Sequence, residues 1–130
     1  MKLPNKFVAI DIECTDSDAR KGDVIQIGSI IINEDLSTGF VFETLIHPIS
    51  DYRNPEAMKV NGISEEELLV APNIHAALSE FERFTLKNIG DKSILAAWGA
   101  YFDVVFMKTI YEKLNREWPF SRRSIVKNVM

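Results

Sequence analysis

The sequence holds a single cysteine, Cys14. No internal disulfide can form, and a reducing cytoplasm is the setting that suits it. No apolar run approaches the roughly 20 residues that span a bilayer, so no membrane partner is expected. The opening residues, Met1 to Lys6, lack the apolar region of a signal peptide. Basic residues are also in short supply: 15 Lys and Arg against 19 Asp and Glu give a net charge of −4. That balance argues against a protein that coats nucleic acid along its length. It leaves room for an enzyme that grips one chain end through bound metal, with part of the acidity in the site. Repeats, low-complexity tracts and linkers are absent. The 130 residues, 46% hydrophobic and 26% charged, therefore read as one soluble domain, 1–130, with a sizeable core.

The most informative stretch is Phe7-Val8-Ala9-Ile10-Asp11-Ile12-Glu13-Cys14-Thr15. Residues two apart on a strand share a face, so Asp11 and Glu13 project together while Val8, Ile10 and Ile12 cover the other side. Both faces are apolar early, and one turns acidic at the end. This suits a central strand whose carboxyl end opens into a site. Two anions held this close raise each other's pKa unless a cation or proton relieves them. Mg²⁺ or Mn²⁺ is the usual relief for hard oxygen ligands. Taken alone, though, Asp-x-Glu is common, and two solvated acids at a strand end is the simpler reading.

Asp16 to Asp23 reads as a polar loop. Asp23 to Asn33, rich in isoleucine, reads as a strand buried on both faces. A turn over Asn33 to Gly39 leads to a strand from Phe40 to Ile46, and so short a connection makes the pair antiparallel. Glu56 to Val60 suits a short helix. Ser64 with Glu67 forms a capping box that starts another, ending before Pro72. Asn73 to Asn88 is amphipathic, with Ile74, Ala77, Leu78, Phe81 and Phe84 on one face, and Gly90 is its stop. Ser93 to Trp98 is a fourth strand. Gly99 breaks it, and a helix runs to Glu117 with Phe102, Phe106, Ile110 and Leu114 as its stripe. Ser121 to Met130 has no clear assignment. The order β-β-β-α-β-α indicates a mixed sheet flanked by helices.

In Leu95 to Phe106 a buried strand stops at a glycine, and Asp103 falls in the first helical turn. The helix dipole favours an acid there and would by itself explain the residue. If the first and fourth strands are neighbours, however, Asp103 joins Asp11 and Glu13 at one sheet rim.

At these residues the chain resembles the DEDD family of 3′–5′ exonucleases. Asp11-Ile12-Glu13, with Thr15, matches the family's first motif. Trp98-Gly99-Ala100-Tyr101-Phe102-Asp103 matches the second, often His-Asn-Ala-x-Phe-Asp, with Trp-Gly in place of His-Asn. His47-Pro48 and Asn61-Gly62-Ile63-Ser64 resemble a segment that in many members carries His-Gly-Ile-Thr. The resemblance implies an α/β, RNase H-like mixed sheet: three antiparallel strands, then a strand parallel to the first, flanked by helices. It implies hydrolysis of the terminal phosphodiester of a single-stranded 3′ end with two divalent ions, Mg²⁺ or Mn²⁺, releasing nucleoside monophosphates. Asp11 would bridge both ions, Glu13 ligate the first, and Asp103 support the second. Ile12, Cys14 and Thr15 would hold the last nucleotide, and Asn61 and Trp98 align with substrate-contacting positions. Members with Trp-Gly at the second motif include RNA trimmers, which tilts the substrate toward RNA. A homo-oligomer is compatible with this reading.

The family's third motif, His-x-x-x-x-Asp or Tyr-x-x-x-Asp, is not found after Asp103: both histidines, His47 and His75, lie upstream, and Tyr111 is followed at the right spacing by Asn115. The domain is therefore expected to be C-terminally incomplete, stopping before its last strand and helix, with weak or no activity alone. Two other functions fit part of the pattern. A haloacid-dehalogenase-like phosphatase also places an acid pair and a threonine after a strand, but needs a later lysine and acidic pair. A non-catalytic binding module on a nuclease fold would also lack the third motif. For several residues the plain readings are structural. Cys14 suits a packed thiol, His75 a surface residue, His47 a strand end, and Trp98 a core residue. Gln26 suits a core amide or a site-facing one, and Arg122, Arg123 and Lys127 a solvated tail.

Overall fold

The computed structural model describes residues 2–98 and 102–127, and the side chains of all of these except 98 and 124–127. Period-two alternation builds β1 (Phe7–Cys14), the centre of a five-stranded sheet ordered β3-β2-β1-β4-β5. Strand β2 (Val24–Ile32) pairs antiparallel with β1, and β3 (Thr38–Leu45) antiparallel with β2. Strand β4 (Leu95–Trp98) runs parallel to β1, with Val8 opposite Leu95 and Ile10 opposite Ala97. The sheet is the RNase H-like one expected.

Three helices intervene before β4. Helix α1 (Pro55–Asn61) starts with Asn54, whose side chain accepts from the Glu56 and Ala57 N–H groups, and stops at Gly62 in the left-handed region. Helix α2 (Glu65–Leu69) has both halves of the Ser64–Glu67 capping box. Helix α3 (Ile74–Asn88) buries Ile74, Ala77, Leu78, Phe81 and Thr85. Phe84 is partly exposed and packs its ring 5.5 Å from that of Phe42.

Helix α4 (Phe102–Lys113) is shorter than its apolar pattern suggests. The chain turns at Asn115, φ +52°, and the Arg116 N–H closes the end on the Tyr111 carbonyl. The buried stripe is Val104, Phe106, Met107, Ile110 and Tyr111, whereas Phe102 and Leu114 are only partly covered. The α3 and α4 stripes pack on Val8, Ile10, Ile12, Leu95 and Ala97, all at 5% exposure or less. Each such large side chain contributes roughly 1.5–3 kcal/mol on burial. The opposite sheet face, which carries Asp11 and Glu13, is partly open.

One finding corrects the sequence reading. A strand follows α4 where none was expected: β5 (Ser124–Lys127) runs parallel to β4, with Leu95 opposite Ser124. Four residues that follow Arg122 and Arg123 and end in Lys127 carry too little period-two signal to announce a strand; the free edge of β4 supplies what local pattern does not. No helix among the described residues is long and apolar enough to cross a membrane.

Candidate active site

The two acids of β1 lie on the face opposite the one that the α3 and α4 stripes cover. Asp11 is exposed and stands opposite Gly28, which stands in turn opposite Glu43 on β3. Gly28 thus leaves the row beside Asp11 without a side chain, a feature not read from the sequence. Glu13 is partly covered, and burial and then the neighbouring Asp11 raise its pKa.

Asp103 reaches the same rim from the first turn of α4. Among the described residues, strand β4 is registered with β1 as far as Ile10, short of Ile12. The Ile12 N–H donates to Asp103 Oδ2 at 3.2 Å across 91 positions of sequence. This bond aims the carboxylate at the end of β1. Burial pushes the Asp103 pKa up to about 6; the Ile12 amide lowers it, and Asp11 and Glu13 raise it. The three acids are therefore coupled through space. Among the described residues no ion pair involves any of them.

Beside them opens a cleft of about 440 Å³. Glu13, Cys14 and Asp103 line one side, α1 residues Ala57 and Val60 the other, and Ile12 and Phe102 add apolar surface. Cys14 is half-buried, and burial first, then Glu13, Asp103 and Asp16, push its thiol up to about 11, although the Asp16 amide opposes the rise. A thiol held protonated at neutral pH is packing, not a nucleophile.

The predicted substrate residues separate in the structure. Ile12 and Cys14 line the cleft. Thr15 is fully buried, and its Oγ1 accepts the Asp23 N–H at 2.8 Å. The Asn61 amide is used at both ends, donating to the Cys14 carbonyl at 3.1 Å and accepting the Ile63 N–H at 2.9 Å. Thr15 and Asn61 thus hold the strand end rather than offering a free group to substrate. The Trp98 side chain and Gly99, Ala100 and Tyr101 of the second motif lie outside the described residues. Gln26 is not core: it stands opposite Glu13 on β2, on the acid-bearing face, and donates to Glu43 at 2.8 Å on the exposed side. His47 Nδ1 lies 2.8 Å from the Leu68 carbonyl and His75 Nδ1 3.3 Å from Arg116, so neither histidine serves the cleft.

Three hard-oxygen donors, of which Asp11 raises the pKa of Glu13 and both raise that of Asp103, fit a divalent ion by their chemistry. Among the described residues no three such side chains stand close enough to cage an ion by themselves. That is compatible with Mg²⁺, which usually keeps several waters and takes one or two carboxylates plus substrate phosphate.

Solved structures show the same architecture. The 3′-exonuclease that recognises the 3′ end of a histone mRNA stem-loop superposes with a TM-score of 0.74 at 17% identity, covering 91% of this chain and 44% of that one. E. coli exonuclease I in complex with a dA13 oligonucleotide gives a TM-score of 0.70 at 16% identity, covering 95% of this chain and 28% of that one. The fold is that of the RNase H-like superfamily. The sequence profile of the RNase T exonuclease family matches residues 8–129, and the chain belongs to that family, the DEDD 3′–5′ exonucleases. Among curated relatives, the DNA polymerase III epsilon subunit of Aquifex aeolicus is 35% identical over 88 residues, 67% of this chain and 42% of that protein. The Rickettsia typhi epsilon subunit is 34% identical over 121 residues, 92% of this chain and 47% of that protein. The chain thus spans less than half the length of these relatives. Exonucleases of this type use divalent metal ions. Family membership sets aside the phosphatase alternative.

Proposed function

We propose that Asp11, Glu13 and Asp103 hold divalent ions, Mg²⁺ or Mn²⁺, for hydrolysis of the terminal phosphodiester of a single-stranded 3′ end. The observation that carries this reading is the Asp103 carboxylate, tethered to the Ile12 amide and pushed up to about 6 beside Asp11 and Glu13. Such an arrangement is unfavourable for an isolated domain, and a cation relieves it. When bound, the ions supply neutralisation of the phosphate charge and activation of the attacking water. The chain's own residues do the rest. The Ile12 amide fixes the direction of Asp103. Ala57, Val60 and Phe102 offer apolar surface to the terminal base, and Phe102 presents a ring for stacking.

Among the described residues no histidine reaches the cleft to serve as general base. The 130 residues alone are therefore proposed to cleave weakly or not at all. A non-catalytic module is the second reading, favoured by the same missing base and by the lack of a ready three-residue cage.

Mn²⁺ titration and cleavage of 3′-labelled DNA and RNA oligonucleotides, with Asp11→Ala as control, test these readings. Mn²⁺ binding lost in Asp11→Ala, with slow or absent cleavage, is expected. Robust cleavage by the unmutated chain would overturn the claim of weak activity, and absence of Mn²⁺ binding would leave only the module. Faster trimming of RNA than of DNA is the expected direction.

A further inference from the structure

Two buried carboxylates lie outside the acid trio, Asp16 at 6% exposure and Asp23 at 4%. Both are satisfied mainly by one short segment, residues 50–54. Asp23 Oδ2 accepts the Ser50 N–H at 2.9 Å and the Ser50 hydroxyl at 3.0 Å. Asp16 Oδ2 accepts the Tyr52 hydroxyl at 2.5 Å and the Asn54 amide at 3.3 Å, while its Oδ1 takes the Asp18 N–H at 2.8 Å. The Asn54 N–H adds a bond to the Thr15 carbonyl at 2.8 Å. The base of this clamp is firm. Thr15 and Asp23 pair through their backbones, and Lys113 of α4 donates to the Ala19 and Gly22 carbonyls at 3.0 and 3.3 Å.

Segment 50–54 leads directly into α1, the far wall of the cleft. That helix has seven residues and buries none of them. A helix this short is marginal by itself, and here no apolar face fixes its place. Val60 is 86% exposed yet lines the cleft. What holds α1 to the end of β1 is therefore polar: the Asp16 and Asp23 ties at its start, and the Asn61 bond to the Cys14 carbonyl at its finish.

We infer that Asp16 and Asp23 are positioning residues that set α1 against the catalytic strand and so govern how tightly the cleft grips a terminal nucleotide. They act on substrate affinity and leave the metal-holding acids untouched. This inference rests on the cleft being the nucleotide site.

Two variants separate the clamp from the helix it holds. Asn54→Asp keeps a good N-cap but turns a donor to Asp16 into a like charge. Tyr52→Phe removes one hydroxyl from a ring that is 42% exposed and leaves the fold alone. Three quantities are measured on each: amide exchange in α1 relative to β1 and α3, affinity for a nucleoside 5′-monophosphate with Mn²⁺ present, and affinity for Mn²⁺ by itself. In both variants α1 exchange should quicken while β1 and α3 stay protected. Nucleotide affinity should fall roughly threefold to tenfold, the worth of one such hydrogen bond. Mn²⁺ affinity should hold within about twofold. Unchanged α1 exchange in both variants would overturn the clamp. Loosened α1 with undiminished nucleotide affinity would overturn its role in substrate grip. If the unmutated chain takes up no nucleotide, the site reading and the affinity claim fall together, while quickened α1 exchange in the same proteins would still establish the clamp.

Discussion

Replacing Asp103 by Asn should stabilise the metal-free protein at neutral pH, the reverse of what deleting a buried hydrogen-bonding group usually does. Asn is the same size, and its carbonyl oxygen can still accept the Ile12 N–H. What it removes is a charge that the folded state disfavours. The Asp103 pKa rises from 3.8 to about 6 on folding, chiefly through burial. The folded chain therefore keeps its proton through a pH range in which the unfolded chain has already lost it. Stability is full below about 3.8 and declines as pH rises to about 6, and the loss is complete near 7. At ~1.4 kcal/mol per pH unit the difference corresponds to about 3 kcal/mol. Because Asp103 is only half-buried, screening by water reduces it to about 2 kcal/mol. Urea unfolding in a chelating buffer, from pH 4 to 7.5, measures it as the gap between variant and parent. The gap should be near zero at pH 4 and open to about 2 kcal/mol by pH 7.5, or about 6–8 °C in Tm. Added Mn²⁺ should then stabilise the parent more than the variant. A variant less stable than the parent at pH 7.5, or a gap that does not change with pH, would refute the reasoning.

Other perturbations have equally definite outcomes. Cys14, pushed up to about 11, should react with iodoacetamide at pH 7.5 on the order of a hundredfold more slowly than a free thiol, and a reaction at the free-thiol rate would contradict its burial between acids. Glu82→Ala removes the acceptor shared by Arg116, at 2.9 and 3.0 Å, and the Tyr111 hydroxyl, at 2.6 Å. Urea unfolding should show a loss of about 2–3 kcal/mol, less than for a fully buried pair because the two side chains stay 25% and 21% exposed. Ser64→Ala breaks the α2 capping box and should cost about 1 kcal/mol in the same assay.

The competing functions part at the metal. A nuclease site and an inert module share the sheet, the helices and the cleft, so none of these separates them. Mn²⁺ binding that is lost in Asp11→Ala does, because only a site that uses a cation gains from anions placed near one another.

The strands β1 to β4 and all four helices were legible from residue order, because each depends on contacts within a few positions. Alternation marked β1, Ser64 and Glu67 marked the start of α2, and the apolar stripe of α3 repeated every three or four residues. Asp11, Glu13 and Asp103 were legible too, as acids at the ends of apolar runs. The tertiary structure decided what those residues do to one another. Only the parallel pairing of β4 with β1 brings Asp103 to the Ile12 amide, and only the free edge of β4 makes a strand of Ser124 to Lys127. Thr15 and Asn61, which motif alignment offered as substrate contacts, have their polar side-chain groups bonded to backbone from other segments. Local order can say which groups a chain carries, but whether a given oxygen is free for a ligand depends on partners tens of residues away.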